Sequence, residues 1–228
     1  MRNKLWTLTA LGLAAGLCAL AAALPLSAQG GKGKEVRLFN GKDFTGWTHH
    51  LKDPAVKMEE VWRVDPKEGV IICKGSPNGY IRTTADYTNY NLKLEWRWDP
   101  VTKKAGNSGV LLRLVGPDKV WPRSIEAQLQ NGSAGDFWLI DGTPLDTPPE
   151  RVDPKVPRHR LRTKSNEKPA GEWNEYDITV DGGRVVLKVN GEVLNEGTGA
   201  EAVPGKIALQ SEGAEIHFRN IRLTPIEK

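Results

Sequence analysis

An acid and two amides recur at every second position in the segment Ile125-Glu126-Ala127-Gln128-Leu129-Gln130. Successive side chains on a β-strand point to opposite faces, so Glu126, Gln128 and Gln130 share one face and Ile125, Ala127 and Leu129 share the other. Alternate residues on a strand lie about 7 Å apart, a spacing that suits the successive hydroxyls of a sugar. The plainer reading is the wet face of an antiparallel sheet. The stretch before it, 108–115, places Val110, Leu112 and Leu114 on one face and Gly109, Leu111 and Arg113 on the other. Arg113 is the only charge in that apolar strand and needs a partner. Glu126 on the neighbouring strand would serve, giving a structural ion pair or an active-site pair.

Other familiar chemistries are absent. The chain has no phosphate loop, dinucleotide fingerprint, nucleophile elbow or His-rich metal motif. Its four histidines, His49, His50, His159 and His217, show no ligand spacing. No cofactor is expected, although an oxygen-ligated structural Ca²⁺ stays open. A conventional glycosidase needs two carboxyl groups flanking the scissile bond. Jelly-roll glucanases carry these on one strand as E-x-D-x-x-E, and Glu126 to Gln130 is similar to that strand with its later acids replaced by amides. The surface therefore only binds sugar, or it performs a chemistry for which one base suffices.

The elements that must position these residues are short strands. Asn91 to Trp98 alternates Leu92, Leu94, Trp96 and Trp98 with Asn91, Lys93, Glu95 and Arg97, as in a half-buried antiparallel strand. Asp181-Gly182-Gly183 and Asn190-Gly191 are hairpin turns. About ten or more strands, with turn signals roughly every 8 to 12 residues, indicate an all-β sandwich or jelly roll of antiparallel sheets. Trp47 is read as a plug at one end of the core. Residues 142–171 carry six prolines among many charges and no periodicity, and are expected to extend into water; in the alternative they fold over the site, bringing His159 with them.

Residues 1–28 read as an export signal: Arg2 and Lys4, an apolar run from Leu8 to Leu24, and Leu26-Ser27-Ala28 as the cleavage site. A flexible leader at 29–35 and one domain at 36–226 follow. Loss of the signal removes Arg2 and Lys4 and no acid, taking the net charge from +4 to +2. So small an excess speaks against a nucleic-acid partner, and cleavage leaves no membrane anchor. The mature protein is then expected to be exported, into a periplasm or out of the cell. Cys73, within Val70-Ile71-Ile72-Cys73, is then the one remaining cysteine, a buried and inert thiol.

Several segments together carry a resemblance. LFNGKDFTGW (38–47), NSG with Arg113 (107–113), EAQ (126–128), AGDFW (134–138), GEWN (171–174) and GKIALQSEGAEIHFRNIRL (205–223) resemble the 3-keto-disaccharide hydrolase family in order and spacing. The resemblance covers about Val36 to Pro225. It implies a concanavalin-like jelly roll, export from bacteria and cleavage of glycosides already oxidised at C3. A ketone at C3 acidifies the C2 proton, so one base can start a β-elimination that expels the C1 substituent, and hydration completes net hydrolysis.

For that chemistry, strand geometry nominates Glu126 as the base and Arg113 as stabiliser of the enolate oxygen. Asn107, Gln128, Gln130 and Gln210 are nominated to hydrogen-bond sugar hydroxyls. His159 and Glu212 are alternative bases. Trp121 and Trp138 either stack on a pyranose or belong to the core. Many family members carry an acid where Gln130 stands, which leaves a second carboxylate on this strand, or a metal it would bind, without support here. The competing class is a non-catalytic carbohydrate-binding module on the same face.

Overall fold

The computed structural model describes residues 33–227, so the expected export signal lies outside the described residues. In chain order the strands are β1 (Val36–Arg37), β2 (Trp47–Leu51), β3 (Trp62–Asp65), β4 (Val70–Cys73), β5 (Gly79–Thr83), β6 (Tyr90–Trp98), β7 (Gly109–Val115) and β8 (Arg123–Gln128). They continue as β9 (Phe137–Ile140), β10 (His159–Arg160), β11 (Asn174–Asp181), β12 (Arg184–Val189), β13 (Glu192–Gly197), β14 (Lys206–Ser211) and β15 (Ile216–Pro225). A four-residue helix, Met58–Val61, and a 3-10 turn, Pro149–Arg151, are the helical elements among the described residues. No described helix is long and apolar enough to cross a membrane.

Two antiparallel sheets pack face to face. One runs β13-β12-β11-β6-β15-β4-β3, with β1 added beside β15; the other runs β10-β9-β8-β7-β14-β5-β2. The alternation of β6 drives this arrangement: Leu92, Leu94, Trp96 and Trp98 are all buried between the sheets. Trp96 meets Tyr176 of β11 with ring centroids 4.9 Å apart. The Tyr176 hydroxyl then crosses to the second sheet, donating to Gln128 O at 2.6 Å and accepting from Gly135 N at 2.7 Å. A core aromatic thereby fixes the end of β8. Trp47 is buried at the core edge, its indole N–H donating to Leu38 O at 2.7 Å. Cys73 is fully buried, and burial pushes its thiol up to about 12.

Ile125, Ala127 and Leu129 belong to the core, so Glu126 and its row-mates point outward from the second sheet. A bulge in β7 changes the expected phase. Leu112 pairs with Ile125, but Val115 pairs with Arg123, so three steps on β7 oppose two on β8. Arg113 sits at this bulge with φ +48°. The extra residue rotates the strand, and Leu114 rather than Arg113 joins Leu111 on the outer face.

Residues 142–171 differ from the expected water-directed loop. Arg158 O accepts from Leu139 N at 2.9 Å, and His159–Arg160 add a strand beside β9. Arg151 donates to Leu161 O at 2.7 Å and Leu194 O at 2.9 Å. Such side-chain-to-backbone ties carry no periodicity in sequence and so left no signal there.

Candidate active site

One transverse row of Cα partners crosses the second sheet: Thr48, Arg82, Ala208, Leu111, Glu126, Trp138 and His159, one from each strand. Between Leu111 and Trp138, Glu126 stands on the outer face at 5% exposure. Its carboxyl accepts no hydrogen bond among the described residues, so nothing replaces the water it has lost. Burial pushes its pKa up to about 8; the Glu212 carboxylate adds to that, and the Arg158 guanidinium opposes it.

Gly109 makes room for this side chain. A Cβ there would lie 2.4 Å from Glu126 Oε1 and 2.3 Å from Gln210 Oε1. Glu126 and Gln210 therefore occupy the space above the glycine together. Gln210 is 1% exposed, and its Oε1 and Nε2 have no hydrogen-bond partner among the described residues, but it is not among the residues that line the cavity.

Glu212, just past β14, supplies a second carboxyl to the same cavity. Asn107 bridges to the 212–213 backbone and hydrogen-bonds the Glu212 side chain. Burial raises the Glu212 pKa, and the Asn107 bond works against the rise. A lone acid was expected from the strand pattern; the fold brings two together, Glu126 from β8 and Glu212 from just past β14.

The cavity measures about 210 Å³. That is below the roughly 300 Å³ at which drug-sized sites begin, and suits a group the size of one sugar ring. Gln128, Gln130, Trp121 and Trp138 line it with the two acids and Asn107. Gln128 is committed in part to its own chain: Oε1 accepts from Leu129 N at 2.9 Å and Gln130 N at 2.8 Å. β8 ends at Gln128, so Gln130 reaches the cavity from the following turn rather than from the strand. Trp121 is 44% exposed at the rim.

Two nominated residues stand elsewhere. Arg113 is not the partner of Glu126: its guanidinium donates to Thr88 O at 2.9 Å and Glu201 O at 2.5 Å, on the far side of the bulge. The simple alternation of β7 failed at that extra residue. His159 shares the row of Glu126, but Trp138 stands between them, and the imidazole stacks on the indole at 4.5 Å and 12°. It contacts Asp136 and Asp153 instead.

The residue that strand reading missed is Arg158. It lines the cavity, and its guanidinium lies 5.3 Å from the Trp138 ring centroid. Two neighbouring arginines, Arg160 and Arg162, made it indistinguishable in sequence, and the pairing of β10 with β9 selects it. Among the described residues one trio has cation-ligand geometry: Asp99, Glu215 and His217, within 4.8 Å of one another and outside the cavity lining. His217 Nδ1 there accepts from Arg97 at 3.4 Å and Nε2 meets Glu215 at 2.8 Å, so both ring nitrogens are engaged.

Comparison with known proteins agrees with this architecture. The chain is 27% identical over 255 residues to the 3-keto-disaccharide hydrolase of Bacteroides thetaiotaomicron, covering 90% of this chain and 81% of that protein. A solved Parabacteroides distasonis structure described as a glycosyl hydrolase superposes with a TM-score of 0.61 at 25% identity, covering 85% of this chain and 94% of that one. The Bacillus licheniformis β-glucanase, 13% identical, has a TM-score of 0.55 over 87% of this chain and 99% of that one, which places the fold among glucanase-like jelly rolls. The carbohydrate-binding module CBM66 of Bacillus subtilis shares that fold as well, at 12% identity and a TM-score of 0.52 over 78% of this chain and 94% of the module. Residues 34–224 match the 3-keto-alpha-glucoside-1,2-lyase-like domain, and the chain belongs to that family.

Proposed function

We propose that this protein is an exported carbohydrate-active enzyme that cleaves the glycosidic bond of 3-keto-glycosides by β-elimination followed by hydration. The observation that carries the reading is the pairing of Glu126, a buried carboxyl with no hydrogen bond, with Glu212 in a cavity of one-sugar size. Family membership and the name of the Bacteroides relative support the substrate class. The export signal at residues 1–28 supports a periplasmic or extracellular setting.

Two neighbouring buried acids resist double ionisation and titrate as a pair holding one proton across the neutral range. The deeper Glu126 keeps that proton, so it serves as the acid and Glu212 as the base, the reverse of the assignment first drawn from the strand pattern. Glu212 takes the C2 proton, and the C2–H electrons form the C2–C3 double bond of an enolate. Arg158 stands as the cation for the enolate oxygen, the role first given to Arg113. Re-formation of the C3 carbonyl moves the electrons into a C1–C2 double bond and breaks the C1–O bond, and the departing oxygen takes the proton of Glu126. Water then adds at C1, giving its proton back to Glu126, while Glu212 returns a proton to C2. The pair is restored, and the net reaction is hydrolysis.

The test is release of the aglycone from a 3-keto-glucoside and from its unoxidised parent by wild type, Glu126→Gln and Glu212→Gln. Turnover of the keto compound alone, lost in both variants, supports the mechanism. Cleavage of the parent at a similar rate would refute it, and sugar binding without turnover by wild type would make the domain a carbohydrate-binding module.

A further inference from the structure

His159 lies behind Trp138 as seen from Glu126, with its ring nearly parallel to the indole at a centroid distance of 4.5 Å. Its Nε2 is 2.8 Å from Asp136 Oδ2 and its Nδ1 is 3.1 Å from Asp153 Oδ2. An ionised carboxylate only accepts, and a neutral imidazole has a single N–H. Both contacts are hydrogen bonds only when both ring nitrogens carry protons. The backbone is pinned too: His159 N donates to Val156 O at 2.8 Å, and His159 O accepts from Asp153 N at 3.1 Å.

The surrounding charges favour that state. Asp136, 1% exposed, also takes Arg162 Nη1 at 3.0 Å and Arg162 N at 2.8 Å on its other oxygen. Burial works to raise its pKa, but the bonds from His159 and Arg162 hold it below the usual carboxylate range. Asp153 is likewise held low by the backbone N–H of Lys155 and by His159. Arg158 lies on the loop beside His159, 5.3 Å from the indole centroid, and Glu126 is beyond the indole.

We propose that His159 is a positioning residue: clamped as an imidazolium between Asp136 and Asp153, it fixes the plane of Trp138 and thereby the placement of the sugar over Glu126 and Glu212. The second half of this statement rests on the function proposed above. The Asp136 hydrogen bond raises the His159 pKa, burial opposes it, and Asp153 raises it further, which is the direction the clamp requires. A group raised in the folded state makes its full contribution below the ordinary histidine value of about 6.5 and loses it as pH climbs through the raised value. Above that point one carboxylate faces a lone pair, and the more exposed Asp153 is the contact that opens.

The experiment is the emission of Trp138, taken as wild type minus Trp138→Phe and titrated from acid to alkaline pH without sugar. An imidazolium stacked on an indole quenches it, so the emission should rise with a midpoint above the ordinary histidine value of about 6.5. The step should be absent in His159→Gln. In Asp153→Asn, a change at the outer end of the clamp, the midpoint should fall by about one pH unit, as expected for loss of one neighbouring opposite charge. A flat titration, the same step in His159→Gln, or an unmoved midpoint in Asp153→Asn overturns the clamp. With a 3-keto-glucoside as probe at a pH below the midpoint, where Glu126 keeps its proton, KM of His159→Gln should be about fivefold above that of wild type while kcat holds, the size expected for one misplaced aromatic contact. A fall in kcat at unchanged KM overturns the positioning role. Absence of wild-type turnover would refute the proposed function, while the fluorescence result still decides the clamp.

Discussion

A Cβ placed on Gly109 would stand 2.4 Å from Oε1 of Glu126, closer than any side chain tolerates. The glycine is therefore a space requirement of the acid beside it, not of the backbone. Gly109→Ala should displace the Glu126 carboxyl or lengthen the β7–β8 contact. We expect kcat/KM for a 3-keto-glucoside to fall on the order of 100-fold, the cost of an ångström-scale misplacement. Urea unfolding should shift by only about 1 to 3 kcal/mol, as for local overpacking. Retained activity would show that the carboxyl position is not critical.

Glu126 should trade stability for activity. Between the unfolded value near 4.5 and the folded value of about 8, the unfolded chain has released the proton and the folded chain has kept it. Stability therefore falls as pH rises through that window, by a few kcal/mol in total. Glu126→Gln removes the cost, so its melting temperature at alkaline pH should exceed that of wild type by about 5 °C or more. Its kcat should be about 10²- to 10⁴-fold lower, the usual contribution of a positioned acid or base. Calorimetry and kinetics on one preparation check both; a variant less stable than wild type at alkaline pH contradicts the buried charge.

The same proton sets a pH profile. The protonated form of Glu126 is required, so kcat should hold up to about pH 8 and fall beyond it. Arg158 lowers the Glu126 pKa, and Arg158→Met should move the alkaline limb upward while reducing kcat through loss of its positive charge. A limb that stays in place would separate Arg158 from Glu126. An activity that rises through pH 8 would instead make Glu126 the base.

Arg113 should matter for folding alone. Its guanidinium ties the carbonyls of Thr88 and Glu201 across the bulge at 4% exposure. Arg113→Ala leaves those carbonyls without a donor and should destabilise the protein by about 2 to 4 kcal/mol. The variant that remains folded should keep its kcat, measured below its melting transition. A catalytic loss without loss of stability would return Arg113 to the site.

Much of this protein was legible along the chain. Alternation in β6 and β8 set which residues face the core, because side-chain direction on a strand is a local property of two neighbours. The turns at Asp181-Gly182-Gly183 and Asn190-Gly191 marked hairpins for the same local reason, since few residues adopt their conformations. The polar row of Glu126 and Gln128, the buried Cys73 and the two-sheet architecture all follow from such short-range rules. Tertiary structure alone decided which charges meet. Glu212 reaches Glu126 because β14 and β8 flank β7, a neighbourhood set by long-range pairing. Arg113 left the site through one bulge residue, and Arg158 entered it through a two-residue strand, each too small to register as periodicity. His159 lies in the row of Glu126 and is still kept from it by the Trp138 ring. Burial then gave Glu126 its proton affinity, and burial is a property of the whole fold that no stretch of sequence carries by itself.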